Sequence, residues 1–414
     1  MVSSDRKTTG PLDDIRILSF GAFVAGNTCP LALAELGADV VKIESRVAPE
    51  ALRAYHHPDY PNLHEPSGVE TTVLFAGLTR SMRSLCLEMK TEAGRDVFRR
   101  LVATCDVVIE NFGPGQMDRW NCSFADLLPY NPRLVMLSIS GYGRTGPRSS
   151  YRAYASNINN FLGLASAWAP DGVHFDYIAG IQGASATLAG LTTARQTGQG
   201  VYIDLAQADS GAAVMAPLYL DQLANGKPWS AQPNEVPGAL VSVVVSCQGA
   251  DAWVAIELEN TADWDTICAV MERTDLQHNT DPPTADERDT LRVAIERWAG
   301  TLTPFQAAQR LQTAGVAAGP VQNSEDLWRD PQLRTRGAIV EVDHPDMGIV
   351  EFPNSPDHMS KTPGHVKSRG PRLGEHSREI VTEWLGLSQH DIQQLVTQGA
   401  IWSPDTDEPP GEER

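Results

Sequence analysis

Two short apolar runs near the start of the chain decide its fold: Ile15-Arg-Ile-Leu-Ser-Phe20 and Ala38-Asp-Val-Val-Lys-Ile-Glu44. Both are rich in β-branched residues and are typical of strands, whereas the stretch between them, centred on Leu31 to Leu36, is typical of a helix. Pro30 lies near the expected helix start, and Gly37 follows its end. The pattern predicts a strand, a helix and a second strand.

The same alternation continues along the first half of the chain. Further strand-like runs are Ser84–Met89, Val107–Glu110, Leu134–Ser140 and Val201–Leu205. A helical stripe follows Thr91, and Gly180–Arg195 is a predicted helix whose many small residues allow close packing against a neighbour. Strands that alternate with helices predict an α/β fold, with a mostly parallel sheet covered on both faces. The large domain is therefore expected to be Rossmann-like.

The sequence texture changes at about Lys227. Ala239–Ser246 and Ala252–Leu258 are predicted to pair as an antiparallel hairpin, with helical stretches after it. We expect the first part of the large domain over 1–227, a smaller α+β domain over 228–330, and a segment over 331–402 that returns to the large domain. The acidic, proline-rich residues 403–414 are expected to be a disordered tail.

Composition and charge exclude several classes of partner. The 414 residues include 52 acidic and 33 basic side chains, which gives a formal net charge of −19. A field of that sign repels phosphate backbones and anionic lipid headgroups, so neither nucleic acid nor membrane is an expected partner. The first residues lack the apolar run of a secretory signal, which favours a cytoplasmic protein. Six scattered cysteines without a C-x-x-C pair argue against disulfides and a zinc site, and no metal site is expected.

Two turns after strands are candidate ligand sites. Gly21-Ala-Phe-Val-Ala-Gly26 follows the first strand and opens a helix, so its N–H groups could meet a phosphate, although a plain turn is equally compatible. Because it is not G-x-G-x-x-G, a nicotinamide fingerprint is absent. Glu110-Asn-Phe-Gly-Pro-Gly115 ends another strand, and open α/β sheets bind ligands at such carboxyl ends. A simple turn with a solvated Arg119 is the alternative.

Several arginines lie near strand ends. Arg46 follows the second strand, Arg80 and Arg83 precede the third, and Arg119 follows the fourth. An acidic protein that binds a polyanion needs such a local cluster. Each arginine alone is more typical of a surface charge, and the sequence leaves open whether they share one edge of the sheet.

Asp176 lies just before the small-residue helix. Its carboxylate could cap that helix, or it could be a nucleophile near helix N–H groups that stabilise developing charge. Sequence patterning alone does not separate these roles.

Taken together, ordered motifs over most of the chain resemble the family III CoA-transferases, which include formyl-CoA transferase and carnitine CoA-transferase. The motifs are Leu31–Glu44, Arg83–Lys90, Asp106–Gly115, Asn131–Val135, Ser138–Gly143, Gly146–Pro147, Thr197–Gly200, Ala314–Val321, Asp330–Leu333 and Leu373–His376. The resemblance implies that Asp176 is the nucleophile, and that CoA passes from an acyl-CoA to a free carboxylic acid through an aspartyl-CoA thioester. It also implies no cofactor, with coenzyme A as a substrate, and an intertwined homodimer.

The resemblance also assigns binding positions. The positions expected near CoA are Arg46, Arg80, Arg83, Asn111, Phe112, Gly113, Arg119 and Arg152. Tyr154 matches an active-site tyrosine, and Val24 stands where formyl-CoA transferase has an active-site glutamine. The sequence departs from the family at Thr79, Met82 and Asn27, and over residues 47–74, which bears on the acyl substrate more than on the fold.

Two other readings stay open. The same fold houses α-methylacyl-CoA racemases, which move a proton with a histidine and an aspartate; the histidine position falls at Tyr154 here, which disfavours that chemistry. A noncatalytic partner subunit of a CoA-transferase is the other alternative. The sequence does not identify the donor and acceptor acids.

Overall fold

The computed structural model describes residues 10–54, 72–164, 172–226, 234, 236, 238–345 and 348–404. The chain divides into two compact units, with boundaries between Trp229 and Ser230 and between Arg336 and Gly337. The larger unit therefore combines the first part of the chain with the segment from Gly337. In this described portion, no helix is long and apolar enough to cross a membrane.

The larger unit is built on a seven-stranded sheet. Its strands are β1 (Arg16–Ser19), β2 (Asp39–Glu44), β3 (Arg83–Leu87), β4 (Val107–Glu110), β5 (Val135–Ser140), β6 (Val201–Ala206) and β12 (Ile401–Trp402). Their order is β12-β3-β2-β1-β4-β5-β6, and all neighbouring pairs are parallel except β12 with β3. The order of β1 to β6 is that of doubly wound sheets, in which the strand order reverses between β1 and β4.

Helices cover both faces of this sheet. They are α1 (Phe23–Glu35), α2 (Val73–Thr79), α3 (Glu92–Val102), α4 (Gln116–Arg119), α5 (Phe124–Leu127), α6 (Ala155–Phe161), α7 (His174–Thr197), α8 (Gln207–Asn225), α14 (Ser377–Leu385) and α15 (Gln389–Thr397). A hairpin of β10 (Ile339–His344) and β11 (Gly348–Pro353) also belongs to this unit. Pro30 lies inside α1 and not near its start, because the helix begins at Phe23.

The sheet separates two apolar layers. Leu18 packs with Phe98 from α3 and Trp384 from α14 on one face. Its neighbour Ile17 packs with Leu33 from α1 on the other. Successive strand residues point to opposite faces, so a strand with a buried residue at every position needs cover on both sides. This explains the continuous apolar runs in the sequence.

The smaller unit contains an antiparallel sheet of β7 (Val241–Ser246), β8 (Trp253–Leu258) and β9 (Ala317–Val321). Its helices are α9 (Thr261–Val270), α10 (Ala285–Ala299), α11 (Pro304–Thr313), α12 (Ser324–Arg329) and α13 (Pro331–Thr335). Trp264 and Ile295 are buried at the centre of its core. The predicted hairpin is confirmed as β7 and β8.

The mixed α/β fold, with a large parallel sheet and a small antiparallel one, is confirmed. Two sequence features lie outside the described residues: 55–71, within the stretch that departs from the family, and 405–414 of the predicted tail. Ser403, the first residue of that tail, is buried.

Helix α7 packs closely on α1, and this packing sets the position of the candidate site described below. A Cβ at Gly180 would lie 2.4 Å from Thr28 Cβ, and one at Gly183 would lie 3.1 Å from a Leu137 methyl carbon. Glycine at these positions therefore lets the two helices and the sheet approach closely. The predicted role of the small residues is confirmed, although the helix starts at His174, six residues before the predicted start.

Candidate active site

A cavity of about 550 Å³ lies at the carboxyl ends of the central strands. Its wall includes Ala22 after β1, Asn111 after β4, Gly141 after β5 and Gln207 after β6. Open α/β sheets bind ligands at the point where the strand order reverses, because the loops on either side of that point diverge. The cavity therefore occupies the position that the fold itself favours.

The cavity brings eight of the predicted site residues together. They are Val24, Asn111, Phe112, Gly113, Arg119, Arg152, Tyr154 and Asp176. Arg46, Arg80 and Arg83 are not among its lining residues.

Asp176 lies in the first turn of α7 and is 8% exposed. The side-chain amide of Gln207, the first residue of α8, donates a hydrogen bond to Asp176 Oδ1. Burial raises the pKa of Asp176, and the Gln207 hydrogen bond opposes that rise only in part. The helix N-terminus favours an anion at this position. The carboxylate is thus poorly hydrated, held at one oxygen and accessible from the cavity.

The capping interpretation of Asp176 is wrong. The residue that precedes α7 is Val173, and no side-chain hydrogen bond caps this end. Asp176 is already helical, and its own N–H donates to the Val173 carbonyl at 3.1 Å. Asp176 lies inside the helix with its carboxylate in the cavity, so helix capping does not explain why an aspartate stands at this position.

The turn after β1 is pinned by side chains. Ala22 N–H donates to Asn111 Oδ1 at 2.9 Å, while Asn111 Nδ2 donates to the Ala22 carbonyl at 2.8 Å. The N–H of Gly21 bonds Ser19 Oγ, and that of Phe23 bonds Glu50 Oε1. These three amides are occupied and cannot meet a phosphate, and a phosphate-binding role for the rest of the Gly21–Gly26 run stays a prediction. Asn111 lines the cavity, and its side-chain amide holds the turn in place through the two bonds to Ala22.

A buried polar cluster lies behind this turn. The Lys42 ammonium pairs with Glu50 and also donates to the Gly21 carbonyl and to Asn27 Oδ1. Asn27 Nδ2 donates to Glu50 Oε1 and to the Phe23 carbonyl, both at 2.7 Å. Glu50 belongs to the stretch over 47–74 that departs from the family, so this stretch contributes to the support of the site.

The second wall carries the predicted CoA-binding residues after β4. Glu110 accepts the Phe112 N–H at 2.8 Å and pairs with Arg144 at 2.6 Å. Burial raises the pKa of Glu110, and the Arg144 charge opposes that rise only in part. The Phe112 ring packs edge-on against Trp120, with ring centroids 5.2 Å apart. This support fixes the direction in which the Asn111–Gly113 loop enters the cavity.

Two exposed arginines supply positive charge to the cavity. Arg119 donates to Gln116 Oε1 at 2.5 Å, and Arg152 makes no hydrogen bond or ion pair with any other described residue. Both guanidinium groups are in position to meet a phosphate or carboxylate group. Their binding role stays a prediction.

The other three arginines are engaged elsewhere. Arg80 pairs with Glu35 at 2.6 Å, and Arg83 pairs with Asp39, Glu379 and Glu383 at 2.6 to 2.8 Å. Arg80 precedes β3 and Arg83 is its first residue, so both lie at the amino edge of the parallel strands, opposite the cavity. Arg46 lies over the Trp402 ring, 4.8 Å from its centroid, in a separate pocket. For Arg80 and Arg83 the physical reason is strand direction, which the sequence left open. Arg46 follows the carboxyl end of β2, and strand order separates it from the cavity, because its partner Trp402 belongs to β12 at the far side of the sheet.

Sequence reasoning missed Gln207, Phe23 and Glu50. Gln207 opens a helix directly after a strand, where a buried polar residue signals a functional position. Phe23 packs edge-on against Tyr154 in the cavity. Glu50 carried no sequence signal, because its partners are distant in sequence.

The described lining residues of the cavity include no histidine. Tyr154 occupies the cavity where the resemblance places the racemase histidine. Across the residues that the structure describes, no group of three or more histidine, cysteine, aspartate or glutamate side chains is arranged to hold a metal ion.

The chain is similar to known proteins over nearly its whole length. Residues 12–377 match CoA-transferase family III. The chain is 28% identical to succinyl-CoA–D-citramalate CoA-transferase of Chloroflexus aurantiacus, over 96% of this chain and all of that enzyme. It is 30% identical to formyl-CoA:oxalate CoA-transferase of Rhodopseudomonas palustris, over 96% of this chain and 98% of that enzyme.

Solved structures show the same fold. A CAIB/BAIF family protein from Brucella suis superimposes with a TM-score of 0.80 at 27% identity, covering 91% of this chain and all of that one. Rv3272 from Mycobacterium tuberculosis gives a TM-score of 0.73 at 22% identity, covering 90% of this chain and 99% of that one.

Proposed function

The chain belongs to CoA-transferase family III, and on this premise we propose that it moves CoA from an acyl-CoA thioester to a free carboxylic acid through a thioester on Asp176. The observation that carries the proposal is the placement of Asp176: a buried carboxylate, held by Gln207, in a cavity at the switch point of the sheet.

The first half of the proposed reaction loads CoA onto the protein. The Asp176 carboxylate attacks the thioester carbonyl of the donor; a C–O bond forms, the C–S bond breaks, and a mixed anhydride and the CoA thiolate result. The thiolate then attacks the Asp176 carbonyl carbon and expels the donor carboxylate. This leaves an aspartyl-CoA thioester.

The second half reverses these steps with another acid. The acceptor carboxylate attacks the aspartyl-CoA thioester and releases the thiolate, which gives a second mixed anhydride. The thiolate attacks the acceptor carbonyl carbon, and Asp176 leaves as a free carboxylate. No electrons are transferred and no net proton is consumed, so the proposed cycle calls for no cofactor.

Three features of the site suit these steps. The carboxylate is poorly solvated, which leaves it less stabilised and more reactive than one in water. Gln207 binds Oδ1 and so leaves Oδ2 for attack. Arg119 and Arg152 would hold the phosphates of CoA, because charge-assisted hydrogen bonds are the strong ones for such groups.

The test is to trap the covalent intermediate. Incubation with a donor acyl-CoA and no acceptor should build up a species that borohydride reduces or hydroxylamine cleaves, and mass spectrometry should place the change on Asp176. In Asp176→Asn, the nucleophile is gone; transfer should fall by orders of magnitude while CoA still binds. Near-normal turnover in this variant, or label on another residue, would reject the mechanism.

We also propose that two copies form the intertwined homodimer that the resemblance implies. Helix α8 supports an association because it exposes apolar side chains that water solvates poorly: Val214, Leu220 and Leu223 are 51%, 63% and 81% exposed. Light scattering should then show a dimer at every dilution at which the protein stays folded. Folded monomers would contradict the proposal.

A further inference from the structure

Phe23 adopts a backbone conformation that few aromatic residues adopt. Its φ angle is 55°, in the left-handed region, where a side chain with a Cβ is strained. The surrounding residues hold it there at both ends of the residue: the N–H bonds Glu50 Oε1, and the carbonyl accepts from Asn27 Nδ2. A strained residue held from both sides indicates a functional position.

This conformation turns the Phe23 ring toward Tyr154. The two rings meet edge-on, with centroids 5.7 Å apart and an angle of 77° between their planes. Both line the cavity, and both stay partly open to it, at 42% and 63% exposure. Val24 follows in the same wall. We call Phe23, Val24 and Tyr154 the apolar wall.

The apolar wall lies beside Asp176. Helices α1 and α7 are connected to parallel strands of one sheet and run in the same direction, as the contacts of Gly180 with Thr28 and of Gly183 with Cys29 show. Val24 lies one turn before Thr28, and Asp176 lies one turn before Gly180. The amino ends of the two helices therefore bring the apolar wall next to the reactive carboxylate.

The positive charges of the cavity are few. Among its described lining residues, only Arg119 and Arg152 are cationic, and only Asp176 is anionic. CoA itself carries three phosphate groups, which would occupy both arginines. An acyl group with a second carboxylate would then face the phenyl group of Phe23, the isopropyl group of Val24 and one neutral donor, the Tyr154 hydroxyl, so most of its lost hydration would go uncompensated.

We propose that the apolar wall is the acyl subsite, and that it selects monocarboxylic acids with an apolar chain over dicarboxylic acids of the same length. The inference rests on the proposed CoA transfer and adds to it the class of acid.

Self-exchange tests the proposal without a second acid. Hexanoyl-CoA is incubated with isotope-labelled hexanoate, and the CoA monothioester of hexanedioate with its labelled acid; labelled thioester is measured by mass spectrometry. The kcat/KM for hexanoyl exchange should exceed that for the dicarboxylate by on the order of tenfold to a hundredfold. Preference for the dicarboxylate would overturn the proposal while leaving CoA transfer intact, whereas absence of all exchange would overturn CoA transfer itself.

Two variants distinguish a role of the apolar wall in acid selection from a role in folding. Phe23→Gly removes the ring and suits the left-handed backbone, so the preference should fall to within a few-fold of unity. Phe23→Arg places a cation in the wall and should shift the preference toward the dicarboxylate. Tyr130→Ala, which removes an exposed aromatic ring outside the cavity, is the matched control. An unchanged ratio in Phe23→Gly would reject the wall as the acyl subsite.

Discussion

Gln207 is the first residue of α8, and Asp176 lies in the first turn of α7. The Gln207 side-chain amide donates a hydrogen bond to Asp176 Oδ1 at the carboxyl edge of the sheet. Both side chains are buried, at 6% and 8% exposure. A hydrogen bond to one oxygen fixes the rotation of the carboxylate about its C–C bond. Gln207 is thus a positioning residue for the proposed nucleophile, since it orients the other oxygen toward the cavity.

Replacement of Gln207 by glutamate keeps the size of the side chain and changes its charge. A second carboxylate at this distance disfavours ionisation of Asp176, so the acidic limb of the pH profile of kcat/KM should move to higher pH. The loss of the hydrogen bond should lower transfer at neutral pH by about ten- to a hundredfold, from a charge-assisted bond of roughly 1.5–3 kcal/mol.

Gln199→Glu makes the same chemical change at an exposed site after α7 and should leave the profile unmoved. A merely structural role for Gln207 predicts lower stability with an unshifted pH profile. That result would contradict the positioning role.

Asp176 should lower the stability of the protein at neutral pH. Burial raises the pKa of Asp176, which means that the folded state resists its ionisation more than the unfolded chain does. The favourable effect of the raised pKa on folding stability is fully present below the ordinary aspartate pKa, and it is lost as the pH rises through the higher pKa of Asp176 in the folded state. Asp176→Asn cannot ionise, so it should be at least as stable as the wild type at pH 7, with the difference shrinking toward pH 4. Urea unfolding at several pH values measures this, and a variant less stable at pH 7 would contradict it.

Arg119→Ala should weaken CoA binding and leave the fold intact. Its guanidinium is exposed and lines the cavity, and a charge-assisted contact to a phosphate is worth about 1.5–3 kcal/mol. The Kd for CoA should rise roughly ten- to a hundredfold by calorimetry. Arg133→Ala removes an exposed arginine that does not line the cavity and serves as the control. An unchanged Kd would make Arg119 a surface charge.

The sequence predicted the sheet well because its signal is local. β2 and β5 are buried at all but one position each, and only strands covered on both faces have that pattern. The position of the site at the carboxyl ends of the strands also follows from such a sheet. The turn of Asn111 and the nearby Arg119 were singled out by this rule, whereas Asp176 was singled out by the family resemblance; all three line the cavity, and their roles stay predictions.

Contacts between segments that are far apart along the chain could not be predicted from the sequence. Gln207 and Asp176 are 31 residues apart, and Phe23 and Glu50 are 27 apart. Arg80 and Arg83 looked like ligand residues until the direction of β3 placed them at the opposite edge. The sequence placed Asp176 before a helix, whereas that helix starts at His174, two residues before Asp176. Each of these depends on tertiary geometry, which local periodicity does not encode.

The Lys42–Glu50 pair supports the turn that carries Phe23, and both of its side chains are almost fully buried, at 1% and 2% exposure. Removing one partner of a buried pair leaves the other charge without compensation, at a cost of about 3–5 kcal/mol. Glu50→Ala should therefore lower the free energy of unfolding by this amount, and it also removes the acceptor for Phe23 N–H.

The double variant Lys42→Met with Glu50→Ala tests whether charge is the cause. It leaves no lone ammonium, while the neighbouring pair of Arg53 with Glu44 stays complete. Because an apolar residue pays no cost of buried charge, the double variant should recover part of the stability lost in Glu50→Ala. Urea unfolding of the two single variants and the double variant gives the coupling free energy. If the double variant loses the sum of both single effects, the two side chains act independently and the pair does not stabilise the turn.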